Sequence, residues 1–226
     1  MEPGTAIAGA RPEASRIAIP AGAEIARPVG PARLLVMLRK GWAARCLPLG
    51  DGRRQISALF VPGDLCDPLW LAGTPHHTVE ALTEIEAVEM GDAVLHGRSD
   101  GSRDLVRELA ADVGHATSWT VSLGRKSALE RVAHLFCDLV VRLGRIGPVG
   151  RSCEMPLSHD DIADATGLTA QHVQRLLADL SAAGLARLAR RRLTVPDFAR
   201  LARTARFDLS DVPRRPDRLA RLHAEA

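Results

Sequence analysis

The chain has 226 residues, 46% hydrophobic and 25% charged, with a net charge of +3. Those proportions are typical of a globular protein, and no apolar run approaches the roughly 18 to 20 residues of a membrane helix, so a helical span is excluded and a cytoplasmic protein is expected. Residues 1–149 carry 17 basic and 17 acidic side chains and residues 150–226 carry 13 and 10, so the whole positive excess lies in the C-terminal third.

The first segment, MEPGTAIAGARPEAS at 1–15, lacks a basic stretch followed by an apolar one, which argues against a secretory signal and reads as a loose N-terminus. Cys46, Cys66, Cys137 and Cys153 form no CxxC pair, so a zinc knuckle or disulfide framework is not expected and the thiols read as reduced and structural. From Arg16 to about Met90, apolar stretches at Leu34–Leu38, Trp42–Leu49, Gln55–Val61 and Val79–Met90 alternate with Gly- and Pro-containing turns. Short strands at such regular spacing predict an antiparallel β-roll, jelly-roll-like, over 16–100.

The period then changes. Val106, Leu109, Val113, Ala116, Thr120 and Leu123 follow spacings of three and four, the seam of a helix that pairs with another copy, and predict a dimerisation helix over 101–124. The competing expectation is a helix packed on its own β-domain. After Gly124 a second amphipathic helix is expected from about Ser127 to Leu143, and GRIGPVG at 144–150 reads as a boundary before the next unit.

The segment SHDDIADATGLTAQHVQRLLADLSAAG is the most informative. Ser158 can cap a short helix with Asp161 at its third position, Gly167 permits a left-handed turn, and Thr169 can cap a second helix that buries Val173, Leu176, Leu177 and Leu180. That is a helix-turn-helix. The second helix presents Gln171, His172, Gln174 and Arg175 near its start. Gln and Arg make bidentate pairs with adenine and guanine, which predicts base reading by Gln171, His172 and Arg175. Backbone contacts are expected from Ser158, Thr169 and Gln174, and from Arg187, Arg190, Arg191 and Arg192 of a basic hairpin, LARLARRRLTVPD, that forms a wing held by Leu185, Leu188, Leu193 and Val195. The bland alternatives are a helical hairpin used only for packing and a solvated Arg-rich surface. A closing helix is expected from Pro196 and Asp197 through Phe198, Leu201 and Ala202, 125–208 is assigned to the DNA-binding domain, and 209–226 reads as a polar tail of unassigned role.

The resulting fold class is α+β: β-roll, long helix, winged helix-turn-helix. In that order the chain resembles the Crp/Fnr family of bacterial regulators over roughly 16–208. IPAGAEIARPVG is similar to the first strands of the family's cyclic-nucleotide-binding-like domain, GWAARCLPLGDGRRQISALFVPGDL to its central hairpins, LGRKSALERVAHLFCDLVVRL to its hinge, and LSHDDIADATGLTAQHVQRLLADLSAAGL is the most specific match. The resemblance implies a homodimer on a two-fold double-stranded DNA site that contacts RNA polymerase. By position the family's base readers fall on Ala170, Gln171, His172 and Arg175; Ala170 cannot hydrogen-bond through its side chain, so the preferred DNA site should differ from that of members with a charged residue there. The family usually begins with one or two helices before its first strand; here only the loose segment precedes Arg16, so either the start lies late or that cap is missing.

The effector region departs from the pattern. Members that bind cyclic AMP carry Gly-Glu and Arg-Ser pairs after the GDL turn, whereas this chain has Asp67 and Pro68, then His76 and His77. Neutral histidines poorly replace an arginine on a phosphate, which argues against a cyclic nucleotide. The N-terminal cysteine cluster of the iron-sulfur type is missing. Cys66, Asp67, His76 and His77 mark a candidate effector pocket, and a haem or metal at Cys66, His76 and His77 is weighed against plain loop histidines, because adjacent residues of an extended segment point to opposite faces. No cofactor is identified. There is no Gly-rich phosphate loop, HExxH or GxSxG, and the pairs His115/Ser118 and His134/Cys137 have a helical spacing that arises often by chance, so no enzyme is expected. A β-roll adaptor acting by protein contacts, with a degenerate DNA-binding domain, is the alternative from another class.

Overall fold

A computed structural model describes residues 16–25, 35–72, 77–90, 98–144, 152–209 and 212. The loose N-terminus, the Pro28–Pro31 and Gly73–Pro75 turns, His76, most of the expected 144–150 boundary and nearly all of the polar tail lie outside them.

The β-roll consists of two antiparallel sheets. One has the strand order β1-β7-β2-β5, formed by Arg16–Ile19, Ile85–Met90, Leu35–Lys40 and Leu65–Cys66. The other has the order β4-β3-β6, formed by Arg54–Phe60, Ala43–Pro48 and Thr78–Ala81, and a 3₁₀ turn covers Pro68–Ala72. Between the sheets lie Val36, Leu38, Phe60, Trp70, Val79 and Ile85, all less than a tenth exposed. The apolar stretch Val79–Met90, continuous in sequence, is divided between the two sheets. Thr83 makes the corner, its Oγ1 accepting from the Trp42 amide at 2.9 Å. Gly41 (φ 88°) passes so close that a Cβ there would lie 2.2 Å from the Glu84 carbonyl, so the corner requires glycine on its facing turn.

Helix α1 spans Arg98–Arg125 and α2 spans Ala128–Leu143. Ser127 and Glu130 form a reciprocal capping box that starts α2 immediately after α1. In the C-terminal part, α3 (His159–Thr166), α4 (Ala170–Ala182) and α5 (Phe198–Ala205) pack with a three-stranded sheet of order β8-β10-β9, formed by Ser152–Glu154, Arg192–Thr194 and Arg187–Ala189. The sequence reading lacked β8. It pairs with β10 and turns the expected two-stranded wing into a three-stranded one. The fold class is α+β, as the chain order of the elements suggests.

The two halves share one core. Ala44, Cys46, Ile56 and Leu59 on the outer face of β3 and β4, with Val61 just after β4, belong to the same buried cluster as Phe136, Leu139, Ile162, Val173 and Leu193. Phe136 is fully buried in it. Replacing Phe136 with alanine is expected to cost about 3 to 5 kcal/mol, read as a lower denaturant midpoint, and the destabilisation should be registered together by probes in the β-roll and in the C-terminal part.

Candidate nucleic-acid interface

The helix-turn-helix is assembled by its caps. Ser158 Oγ accepts from the Asp161 amide at 3.0 Å and donates to the Asp161 carboxylate at 2.7 Å, while that carboxylate accepts from the Ser158 amide at 2.9 Å. The Ser158 hydroxyl, expected at the DNA backbone, is thus engaged in the cap. Gly167 adopts φ 65°, the left-handed geometry that ends α3, and its amide reaches back to the Ala163 carbonyl. Thr169 then accepts from the His172 amide at 3.2 Å and starts α4.

Val173, Leu176 and Leu180 are buried beneath α4, with Leu168 and Leu177 packed partly against the same core. Gln171, Gln174 and Arg175 are exposed on the opposite side, and His172 is half-buried. Four of the expected DNA-facing residues therefore share the first two turns of one helix, where the N-terminal backbone amides add a partial positive charge.

In the wing, Arg190 and Arg191 occupy left-handed conformations, φ 50° and 58°, and make a two-residue hairpin turn. Arg187, Arg190, Arg191 and Arg192 are exposed, while Leu185, Leu193 and Val195 are buried under them and Leu188 is half-buried. Arg192 Nε donates to Ser152 Oγ of β8 at 2.9 Å, which steadies that guanidinium beside the tip. The chemistry is that of an exposed polar helix face beside a cationic turn, suited to base edges and phosphates respectively.

The expected dimer seam divides. Val106 and Val113 are each 64% exposed, Ala116 and Thr120 are exposed and Leu109 is half-buried. The Thr117 and Thr120 hydroxyls donate to carbonyls one turn back, at 2.8 Å each, so neither presents an unpaired donor on this surface. Leu123 instead lies beside Gly167 of the same chain. A second face of α1, with Ala111, Trp119 and Ser122 buried, packs inside its own chain, so the helix has both of the faces that the sequence reading set against each other.

Of the candidate effector residues, Asp67 and His77 join a buried network with Arg45. Arg45, 5% exposed, donates to Asp67 at 2.6 and 3.2 Å and to Asp112 of α1 at 3.2 and 3.3 Å. His77 bonds to the same Asp67 carboxylate. Cys66 is fully buried, and burial with the neighbouring Asp67 charge pushes its thiol well above the ordinary range. His76 lies outside the described residues. The other histidines noted in the sequence pair across helices rather than along them: His134 Nε2 lies 3.2 Å from Ser118 Oγ and its Nδ1 2.6 Å from Lys126 Nζ, and His115 Nδ1 is 3.5 Å from Asp138. The sequence reading missed Arg45; the available signal was a lone arginine inside an otherwise apolar strand, AARCL.

A β-roll carrying a long helix and a winged helix-turn-helix defines the class: a β-roll joined through a helix to a DNA-binding domain. A Crp-like helix-turn-helix domain model matches residues 130–204. The nitrogen fixation regulation protein FixK of Azorhizobium caulinodans is 34% identical over 165 residues, 70% of this chain and 66% of that protein. FixK of Rhizobium meliloti is 34% identical over 133 residues, 58% and 59% of the two chains. The solved structure of FixK2 from Bradyrhizobium japonicum superposes with a TM-score of 0.71 at 27% identity, covering 84% of this chain and 96% of that one. The match thus spans about three fifths to two thirds of those two curated relatives and nearly all of the solved chain. The chain belongs to the Crp/Fnr family of transcription regulators.

Burial raises the Cys46 and Cys137 thiols to about 12 and Cys153 to about 11. A disulfide-exchange reagent at neutral pH is therefore expected to titrate half-buried Cys153 first and slowly, and to reach Cys46, Cys66 and Cys137 only after unfolding.

Proposed function

We propose that this chain is a sequence-specific transcription regulator that binds a two-fold duplex DNA site as a homodimer, reading bases with Gln171, His172 and Arg175. The observation that carries the reading is the α4 surface: an exposed row of Gln171, Gln174 and Arg175 above a fully apolar underside, with the Arg190–Arg191 turn beside it. Packing alone does not call for that polar row. The names of the similar proteins, nitrogen fixation regulators, agree with it. Arg187, Arg190, Arg191 and Arg192, with Thr169 and Gln174, hold the sugar-phosphate backbone, and the α1 face of exposed Val106, Val113, Ala116 and Thr120 with half-buried Leu109 meets its copy in the partner. Contact with RNA polymerase in the cytoplasm follows from this role. Among the described residues no helix is long and apolar enough to cross a membrane.

The β-roll works without a cyclic nucleotide in this reading. The phosphate of such a ligand needs a cation, and the nearby Arg45 is already matched by two carboxylates, Asp67 and Asp112. A third anion would meet net negative charge among largely buried groups, which is unfavourable. A haem or metal at Cys66 and His77 would have to share or displace the bond that His77 Nε2 makes to the Asp67 carboxylate.

Selection of bound sequences from random duplexes should return a two-fold motif. Arg175→Ala is expected to lose about 1 to 3 kcal/mol of discrimination at one position in each half-site. Removing Arg190 and Arg191 together should weaken binding to all sequences alike and flatten the salt dependence by about one unit of slope for each phosphate left without its arginine. Binding without a motif would instead favour the adaptor reading. Leu109→Glu with Val113→Glu is expected to give a folded monomer, by light scattering, that no longer binds the full site. A variant that stayed a DNA-binding dimer would remove α1 from the interface.

A further inference from the structure

Arg54 lies on β4, and its guanidinium reaches across to the first helix of the helix-turn-helix. Nη2 donates to Asp161 at 2.9 Å and Nε to Asp164 at 2.8 Å, while Nη1 holds Glu80 of β6. Next to it the Gln55 amide donates to the Asp164 main-chain carbonyl at 2.5 Å. The helix partners of Arg54 and Gln55 are 107 to 110 residues away in the chain. A second tie lies further along the same strand: Arg142 of α2 donates to the Leu59 carbonyl at 2.7 Å and pairs with Asp64 and Asp138. The two ties flank the shared apolar core.

A planar guanidinium with two carboxylates on one helix resists rotation of that helix, because either hydrogen bond bends out of line when the helix turns. Helices α3 and α4 are themselves joined through Gly167 and the buried Ile162 and Val173, so holding α3 also holds α4. With these contacts made, Gln171, Gln174, Arg175 and the wing arginines are all exposed. The contact therefore orients the reading surface and does not cover it. Arg54 also offsets three carboxylates, Asp161, Asp164 and Glu80, that would otherwise repel one another.

We propose that Arg54 is a positioning residue for DNA reading: through Asp161 and Asp164 it sets the orientation of the winged helix-turn-helix on the β-roll, and so the alignment of the two reading helices of the dimer. The proposal rests on the DNA-reading function above. Occupying the second half-site is then an intramolecular step whose probability depends on alignment, whereas one half-site needs only an intact α4 and wing.

The test uses the full chain and two duplexes, the motif selected by the wild type and the same duplex with one half-site scrambled. Arg54→Glu is expected to lose about tenfold or more on the full site while half-site affinity stays within about twofold. Adding Asp164→Arg to Arg54→Glu should restore most of the full-site affinity by reversing the pair. Equal decreases on both duplexes, or no decrease on either, would overturn the proposal. A readout independent of DNA uses spin labels on Asp51→Cys and Ser181→Cys in a Cys153→Ser background, with labelled chain diluted into unlabelled so that one protomer per dimer is seen. A narrow distance distribution should broaden in Arg54→Glu and narrow again in the charge-reversed pair; an unchanged distribution refutes the orienting role. If the wild type selects no motif, the DNA-reading function fails, and the label distances alone still decide whether Arg54 orients the domain.

Discussion

The outer face of β3 and β4 is buried against the C-terminal helices, and the joining of the two halves depends on it. Ala43 faces the interior of the β-roll while Ala44 and Cys46 face the C-terminal part, so β3 is covered on both sides although it belongs to an antiparallel sheet. Such sheets usually leave one face to water. Here that face is continuous with the packing of Phe136, Ile162 and Leu193, so the apolar core of the C-terminal part does not stop at the boundary. Polar groups placed beside this interface lose their water and gain from a partner. Arg142 pairs with both Asp64 and Asp138 across it, and desolvation raises the Asp138 carboxyl despite the Arg142 charge. Removing one member would strand a buried charge, so the three act as a unit.

Helix α1 lies between this interface and the face proposed above to meet a second copy of the chain. Its inner face meets the β-roll through Asp112, which shares Arg45 with Asp67, and meets α2 through His115 and Ser118. Its outer face presents Val106 and Val113 to solvent. Any shift of the helix about its axis would alter both sets of contacts. The Arg45 network joins the sheet, the turn at Asp67 and the helix.

Much of the candidate site is legible in the sequence because it is built from near neighbours. The Ser158 and Asp161 cap, the left-handed Gly167, the Thr169 cap and the buried row Val173, Leu176 and Leu180 all depend on residues within a few positions of each other, and each has a local signature. The wing turn is read the same way, from three arginines between apolar anchors. The third wing strand at Ser152–Glu154 is not, because three residues have too little period to distinguish them from a loop. The division of Val79–Met90 is equally hidden: the reason for it is the close approach of Gly41 to Glu84, which the sequence shows only as a glycine in a turn.

The sequence by itself determined the α+β class, the order β-roll, helix, winged helix-turn-helix, and which side of α4 is polar, since helix and strand periods and caps are set by local sterics and by the partition of apolar side chains. Only the tertiary structure decided that Arg45 is shared between Asp67 and Asp112, that Arg54 reaches Asp161 and Asp164, and that Leu123 turns inward while Val113 stays outside. Those pairings join residues as many as 110 positions apart. A charge gains its partner from the way two surfaces are brought together, and no period or spacing along the chain encodes that meeting.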